Sequence, residues 1–152
     1  MKKLIIILFQ VSLLLLSPIT SSAEEADNIE SQSSDHRIDI RLNETQRTFI
    51  LGHMRHMLET LTAIQQELLV DNPSEVHQLV TYMQENTQKA HPKMLGQSLP
   101  DPFKQMGRQM NQHWRNLSVG SNDKVYIQKE VVNVMTTCNS CHAVYQIHGA
   151  IE

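Results

Sequence analysis

The sequence is short of several things, and each shortage closes off a class of protein. It holds only two cysteines in 152 residues, so no disulfide framework can stand in for a hydrophobic core. Basic residues do not outnumber acidic ones, with Lys+Arg 13 against Asp+Glu 16 and a formal net charge of −3. No basic patch marks a nucleic-acid surface. After the first apolar run, no second one of membrane-spanning length follows. No Val/Ile/Thr-rich alternating runs stand between turn signals, so the pattern predicts no sheet. No internal repeat stands out.

What is present begins at the N-terminus. Lys2 and Lys3 precede an apolar run, Leu4 to Leu16, broken only by Gln10 and Ser12, and the segment closes on Ser21, Ser22 and Ala23. A charged start, an apolar middle and small residues at the end make residues 1–23 a secretory signal peptide, with no membrane span left after cleavage. Loss of Lys2 and Lys3 takes the formal charge from −3 to −5. Glu24 to Asp35 is polar, acidic and Ser-rich, a composition that cannot bury enough to order itself. His36 to Leu42 (HRIDIRL) alternates apolar and polar residues. With no partner strand in view, residues 24–42 are expected to form a flexible or extended arm lying on the body.

From Asn43 the period becomes helical. Asn43 and Gln46 stand in capping-box relation, and Ile50, Met54, Met57, Leu61, Ile64 and Leu68 recur at three–four spacing on one face. Asp71-Asn72-Pro73-Ser74 ends that helix and starts a second, with a stripe at Val76, Leu79, Val80 and Met83 ending by Ala90. His91 to Pro102, with Pro92, Gly96 and Pro100, reads as a loop. A third stripe runs Phe103, Met106, Met110, Trp114, Leu117. Val119 to Asp123 breaks it, with Asn122 or Ser121 as the next cap. A fourth helix is expected from Asp123 to Ile147, with Val125, Ile127, Val131, Val134 and Met135 inside. The fold class that follows is all-α, an antiparallel four-helix bundle over residues 43–152.

Both cysteines fall in the fourth helix, within Cys138-Asn139-Ser140-Cys141-His142. At about 100° per residue, Cys138, Cys141 and His142 share one face. A disulfide between the two would span one helical turn and constrain almost nothing. A thioredoxin-type couple needs a helix N-terminus after a strand, where the dipole lowers the thiol pKa. Structural zinc needs further ligands, and only scattered histidines are at hand. Covalent haem uses every element: two thiols to bond the vinyl groups, and an adjacent imidazole to coordinate iron. Haem c, one per chain, is therefore the expected cofactor, attached near the end of the last helix.

With that motif in place, the chain resembles the class II cytochromes c, whose best-known members are the cytochromes c-prime. The resemblance spans roughly residues 43 to 148 and rests on CNSCHAVY, with Tyr145 three residues after His142, and on ILGHMRHML in the first helix. It implies a left-handed antiparallel bundle with the haem across its core, Cys138 and Cys141 as anchors and His142 as proximal ligand. One departure stands out. Many cytochromes c-prime carry Arg or Lys directly after that tyrosine, and here the residue is Gln146.

The sixth iron position has two readings. Met54 is the expected ligand, with Met57 second; these methionines lie three apart on the inward stripe and can equally be core packing. The other reading leaves the position open behind an apolar residue, as in high-spin members of the family. His53 and His56 could also ligate the iron, giving a bis-His site, but they sit beside the stripe and a surface role fits them better; His77, His91 and His113 read as exposed or half-buried. Arg47, one turn before Leu51, is either a haem-propionate contact or a solvated helix charge. Met/His ligation suits one-electron transfer with redox partner proteins in the periplasm of a Gram-negative bacterium. An open site suits a binder of nitric oxide or carbon monoxide. Nothing supplies a distal acid–base pair, so no enzyme is expected. A second copy of the chain, as a homodimer, is the remaining candidate partner.

Overall fold

A computed structural model describes residues 35–150. The expected signal peptide and nearly all of the acidic lead-in lie outside the described residues. The described chain is mostly helical, with α1 (Glu44–Leu69), α2 (Val76–Ala90), α3 (Asp101–Val119) and α4 (Lys124–Val144). No helix among the described residues is long and apolar enough to cross a membrane.

The helix boundaries follow local chemistry. Asn43 caps α1 through a reciprocal box: its Oδ1 accepts from Gln46 N at 2.9 Å, and Gln46 Oε1 accepts from Asn43 N at 3.4 Å. That satisfies two amides with no partner inside the helix. Gln46 also donates through Nε2 to Ser98 Oγ at 3.0 Å, tying the helix start to the α2–α3 loop. Asp71, at φ 61, takes the left-handed conformation that lets the chain turn away after α1. Pro73–Glu75 then forms a short 3-10 turn into α2. The cap of α4 is Asp123 rather than Asn122 or Ser121, its Oδ1 accepting from Tyr126 N at 2.8 Å. Ser121 instead accepts from Asp123 N, and Asn122 bonds His77.

Helices adjacent in sequence pack on one another, α1 on α2, α2 on α3 and, most extensively, α3 on α4. Gln65 and Gln128 exchange hydrogen bonds between α1 and α4. Two separate groups of buried side chains result. The larger joins all four helices through Ile64, Val80, Met83, Trp114, Leu117 and Val131, with Leu61, Val76, Met110, Ile127 and Val134 around them. The smaller gathers Ile40, Leu42, Ile50, Leu95 and Tyr145. Each such side chain removed from water contributes about 1.5–3 kcal/mol. Val125 and Met135, expected inside, are 77% and 52% exposed. The buried stripe of α4 is Ile127, Val131 and Val134, and Val125 lies on the opposite face of the helix, Met135 at its edge.

The fold departs from the sequence reading at both ends of the described chain. Ile38–Leu42 is a strand, β1, and α4 stops at Val144, followed by a second strand, β2 (Tyr145–Gly149). They pair in parallel, Ile38 opposite Tyr145, Ile40 opposite Ile147 and Leu42 opposite Gly149. Ala150 N continues the ladder to Leu42 O at 2.8 Å. A two-stranded sheet, which the sequence pattern did not predict, is thus added to the helices, and Ile38–Leu42, expected to be extended on the body, is extended and paired with β2. The physical reason is side-chain alternation in both segments. Ile40, Leu42 and Tyr145 turn inward, while Asp39, Arg41 and His148 stay exposed. The sheet lies against α1.

Candidate functional site

The motif sits where α4 meets β2. Ile127, Val131, Val134, Cys138 and Cys141 follow one another at three–four spacing, so both thiols continue the buried stripe of the helix. Both are free and half-buried. Cys138 packs against the larger core and Cys141 faces the smaller one, its Sγ 3.8 Å from Met106 Sδ. Burial pushes the Cys138 thiol above its ordinary pKa. Burial does the same at Cys141, with the neighbouring Cys138 adding to it. A nucleophilic or redox thiol is favoured by the opposite shift, as at a helix N-terminus or beside a cation. These two occupy a helix's C-terminal end.

Beside Cys141 opens a cavity of about 300 Å³, at the small end of the range for ligand sites. α4 contributes Cys141 and His142 to its wall, and α1 contributes Leu51 and Met54. Phe103 of α3 meets Tyr145 edge-on, with ring centroids 5.4 Å apart, and both rings line the same space. Gln146, Ile147 and His148 of β2 and Arg37, just before β1, complete it. A soft thioether, two imidazoles and a thiol therefore border one largely apolar hollow. Met54 packs with the smaller core, whereas Met57 packs with the larger one and does not line the hollow.

The remaining sequence-selected residues lie elsewhere. Arg47 is half-buried, and its Nε is shielded from solvent with no hydrogen-bond partner in the protein. His53 faces α2, 2.9 Å from Thr87 Oγ1 and stacked on Phe49. Burial first, then the charges of His56 and His91, hold its pKa below the usual histidine value. His56 meets Tyr82 edge-on, His77 bonds Ser118 O, and His113 pairs with Glu130. Among the described residues, no three or more His, Cys, Asp or Glu side chains are grouped to hold a metal ion. A zinc site of the usual four ligands has no donor set there. Another depression is an open groove on α2 at His77, Thr81 and Tyr82, carrying none of the motif.

Sequence reasoning missed two cavity residues. Arg37 Nη1 donates to His142 O at 3.4 Å, and its Nη2 donates to Gln146 Oε1 at 3.5 Å. Gln146 Nε2 in turn donates to Asp39 Oδ1 at 2.8 Å. The same carboxylate meets Arg41 at 2.9 Å and His148 Nε2 at 3.4 Å. The signal for both lay in the alternation of HRIDIRL and YQIHG, legible only when the two segments are set side by side. Comparisons with protein-family models, with curated proteins and with solved structures find no significant match, so the site is interpreted from its own residues.

Proposed function

We propose that this chain is an exported c-type cytochrome of the class II kind, carrying one haem c in an antiparallel four-helix bundle and passing single electrons between periplasmic proteins. The observation that carries the reading is the pair of half-buried thiols of CNSCH on the inward stripe of α4, with Cys141 bordering a hollow that Met54 and His142 also line. When bound, the haem supplies a one-electron iron couple.

The chain's own residues have separable tasks. Cys138 and Cys141, one turn apart on α4, would tether the haem, and His142 would offer its imidazole to the iron. Met54, on α1, would offer a soft sulfur, a donor that favours the reduced metal. Leu51, Phe103 and Ile147 exclude water from the same space. Arg47, with a buried Nε lacking an acceptor, suits a carboxylate such as a haem propionate. Helices on several sides hold these groups rigidly, which limits rearrangement as charge changes.

A second reading has one observation in its favour. Leu51 borders the hollow alongside Met54, one turn earlier on the same helix. If Leu51 rather than Met54 faced the iron, the haem would have room for nitric oxide or carbon monoxide. The test begins with the exported protein denatured in acid and organic solvent. Haem should remain on the chain, with the mass raised by one haem; release of free haem defeats both readings. Absorption spectra with and without carbon monoxide then separate them, low spin and unresponsive for Met ligation, high spin and responsive for an open site.

A further inference from the structure

Two sulfurs from different helices meet at the interface of α3 and α4. Cys141 Sγ lies 3.8 Å from Met106 Sδ, and both side chains are half-buried. Cys138 stands one turn earlier on the same face of α4, near enough for its charge to be felt at Cys141. Three soft donors are thereby gathered. Cys141 also borders the hollow, which gives the group an opening to solvent.

The separation has chemical meaning. Metal–thiolate bonds of first-row ions run near 2.3 Å, as zinc shows, and two of them meeting at a tetrahedral to trigonal angle set their sulfurs roughly 3.8–4.0 Å apart. Cys141 and Met106 already stand at that distance. Thiolate with thioether is the donor pairing that selects Cu(I). Among the described residues, no three His, Cys, Asp or Glu side chains are grouped to hold a metal ion. Zinc and harder ions therefore find too few of the donors they prefer, whereas a soft ion can use the thioether as well.

We infer that Cys138, Cys141 and Met106 form a three-sulfur site for Cu(I) in the haem-free chain. The copper arrives already reduced, so no electron moves. Each thiol gives its proton to solvent as its sulfur–copper bond forms, and the Met106 thioether adds the third bond. Burial holds both thiols above their ordinary pKa. The metal must displace protons that the fold retains, and affinity should rise with pH. The site itself does not depend on the cytochrome reading. Under that reading the same two cysteine sulfurs carry the haem, so copper and haem exclude one another.

The experiment uses the exported chain recovered haem-free from cells deprived of haem, with its thiols reduced. Wild type is compared with Met106→Leu, Cys138→Ser and Met94→Leu, the last at an exposed methionine. Cu(I) is supplied from the coloured chelator bicinchoninate, so affinity is read as loss of colour, and native mass spectra count the metal. Wild type and Met94→Leu should each take one Cu(I) with the same affinity. Met106→Leu conserves volume and apolar character, yet should bind at least about tenfold more weakly, because loss of an outer-shell partner alone costs roughly 10–100-fold. Cys138→Ser should be weaker still. X-ray absorption should count three sulfurs around copper in wild type and two in Met106→Leu. Equal affinities in wild type and Met106→Leu overturn the inference, as does an unaffected Cys138→Ser or a chain that holds Zn²⁺ more tightly than Cu(I). The cytochrome reading fails separately. A chain exported with haem in supply but found without it defeats that reading and leaves the copper result standing. A chain that carries haem when supplied, yet ignores Cu(I) when haem-free, does the reverse.

Discussion

The two cores of this molecule are built differently. The larger is closed: Ile64, Val76, Val80 and Val134 have no exposed surface at all, and every helix contributes to it. The smaller is assembled from a strand, the first turns of α1, a loop residue and the residue just past α4. Around it Phe49, Met54, Leu99, Phe103, Met106 and Ile147 remain only partly buried. Close packing normally leaves few voids in a protein interior. The end with the hollow and half-buried apolar side chains is the less completely packed of the two. Three perturbations probe the difference between the two ends, each taken on the cytochrome reading proposed above.

The largest effect is expected in the closed core. Trp114 is 1% exposed there, and Trp114→Ala should cost about 3–5 kcal/mol in denaturant unfolding of the holoprotein. The haem spectrum of the folded variant should be unchanged. A spectral change would show that the two ends are not separate.

The methionine pair gives an intermediate effect and the sharpest contrast, because the two side chains lie at opposite ends of the division. Met54→Ala should convert a low-spin haem to high spin, lower its potential and admit carbon monoxide. Met57→Ala should preserve the spectrum and weaken the fold, near the lower end of the roughly 2–5 kcal/mol for such truncations because Met57 is only half-buried. Exchanged results would put the ligand one turn further along α1.

The closed end was the more legible in sequence, and that difference is physical. Helix stripes are local signals, so Ile50 to Ile64, Val76 to Met83 and Met110 to Leu117 announced their burial through spacing alone, as did the Asn43 box. The motif at Cys138, Cys141 and His142 is equally local. The strand pair is not: HRIDIRL reads as an arm until YQIHG is known to be extended, and the latter was absorbed into the periodicity of α4. Val125 and Met135 are apolar in identity yet lie off the buried arc of α4, so composition points inward where angular position points out. Arg37 and His148 reached the site only through register, which no window of one segment contains.

The smallest effect concerns acid. Glu130, buried on α4, accepts from His113 Nδ1 at 2.9 Å and from Asn116 Nδ2 at 3.2 Å. Burial would raise its pKa, but hydrogen bonds from His113, Asn116 and Asn133, with the charge of His113, outweigh that and hold it below the ordinary glutamate value. A depressed folded-state pKa contributes stability above the unfolded value and loses it as pH falls through the folded value. Glu130→Gln should therefore be less stable than wild type near neutrality, with the gap closing in acid. Thermal midpoints of both proteins across that range measure it. A gap independent of pH would remove the carboxylate from the account.

The sheet also fixes an order of events. Pairing β1 with β2 closes a loop that contains all four helices, and closing a loop of that length costs chain entropy that only non-local contacts repay. Helix hairpins such as α3 with α4 form from near neighbours and need not wait for it. The strand pair is thus the contact of highest chain-closure cost in the fold, and contact order places its formation after the helix pairs. Before it forms, β2 lacks the partner strand that covers its edge.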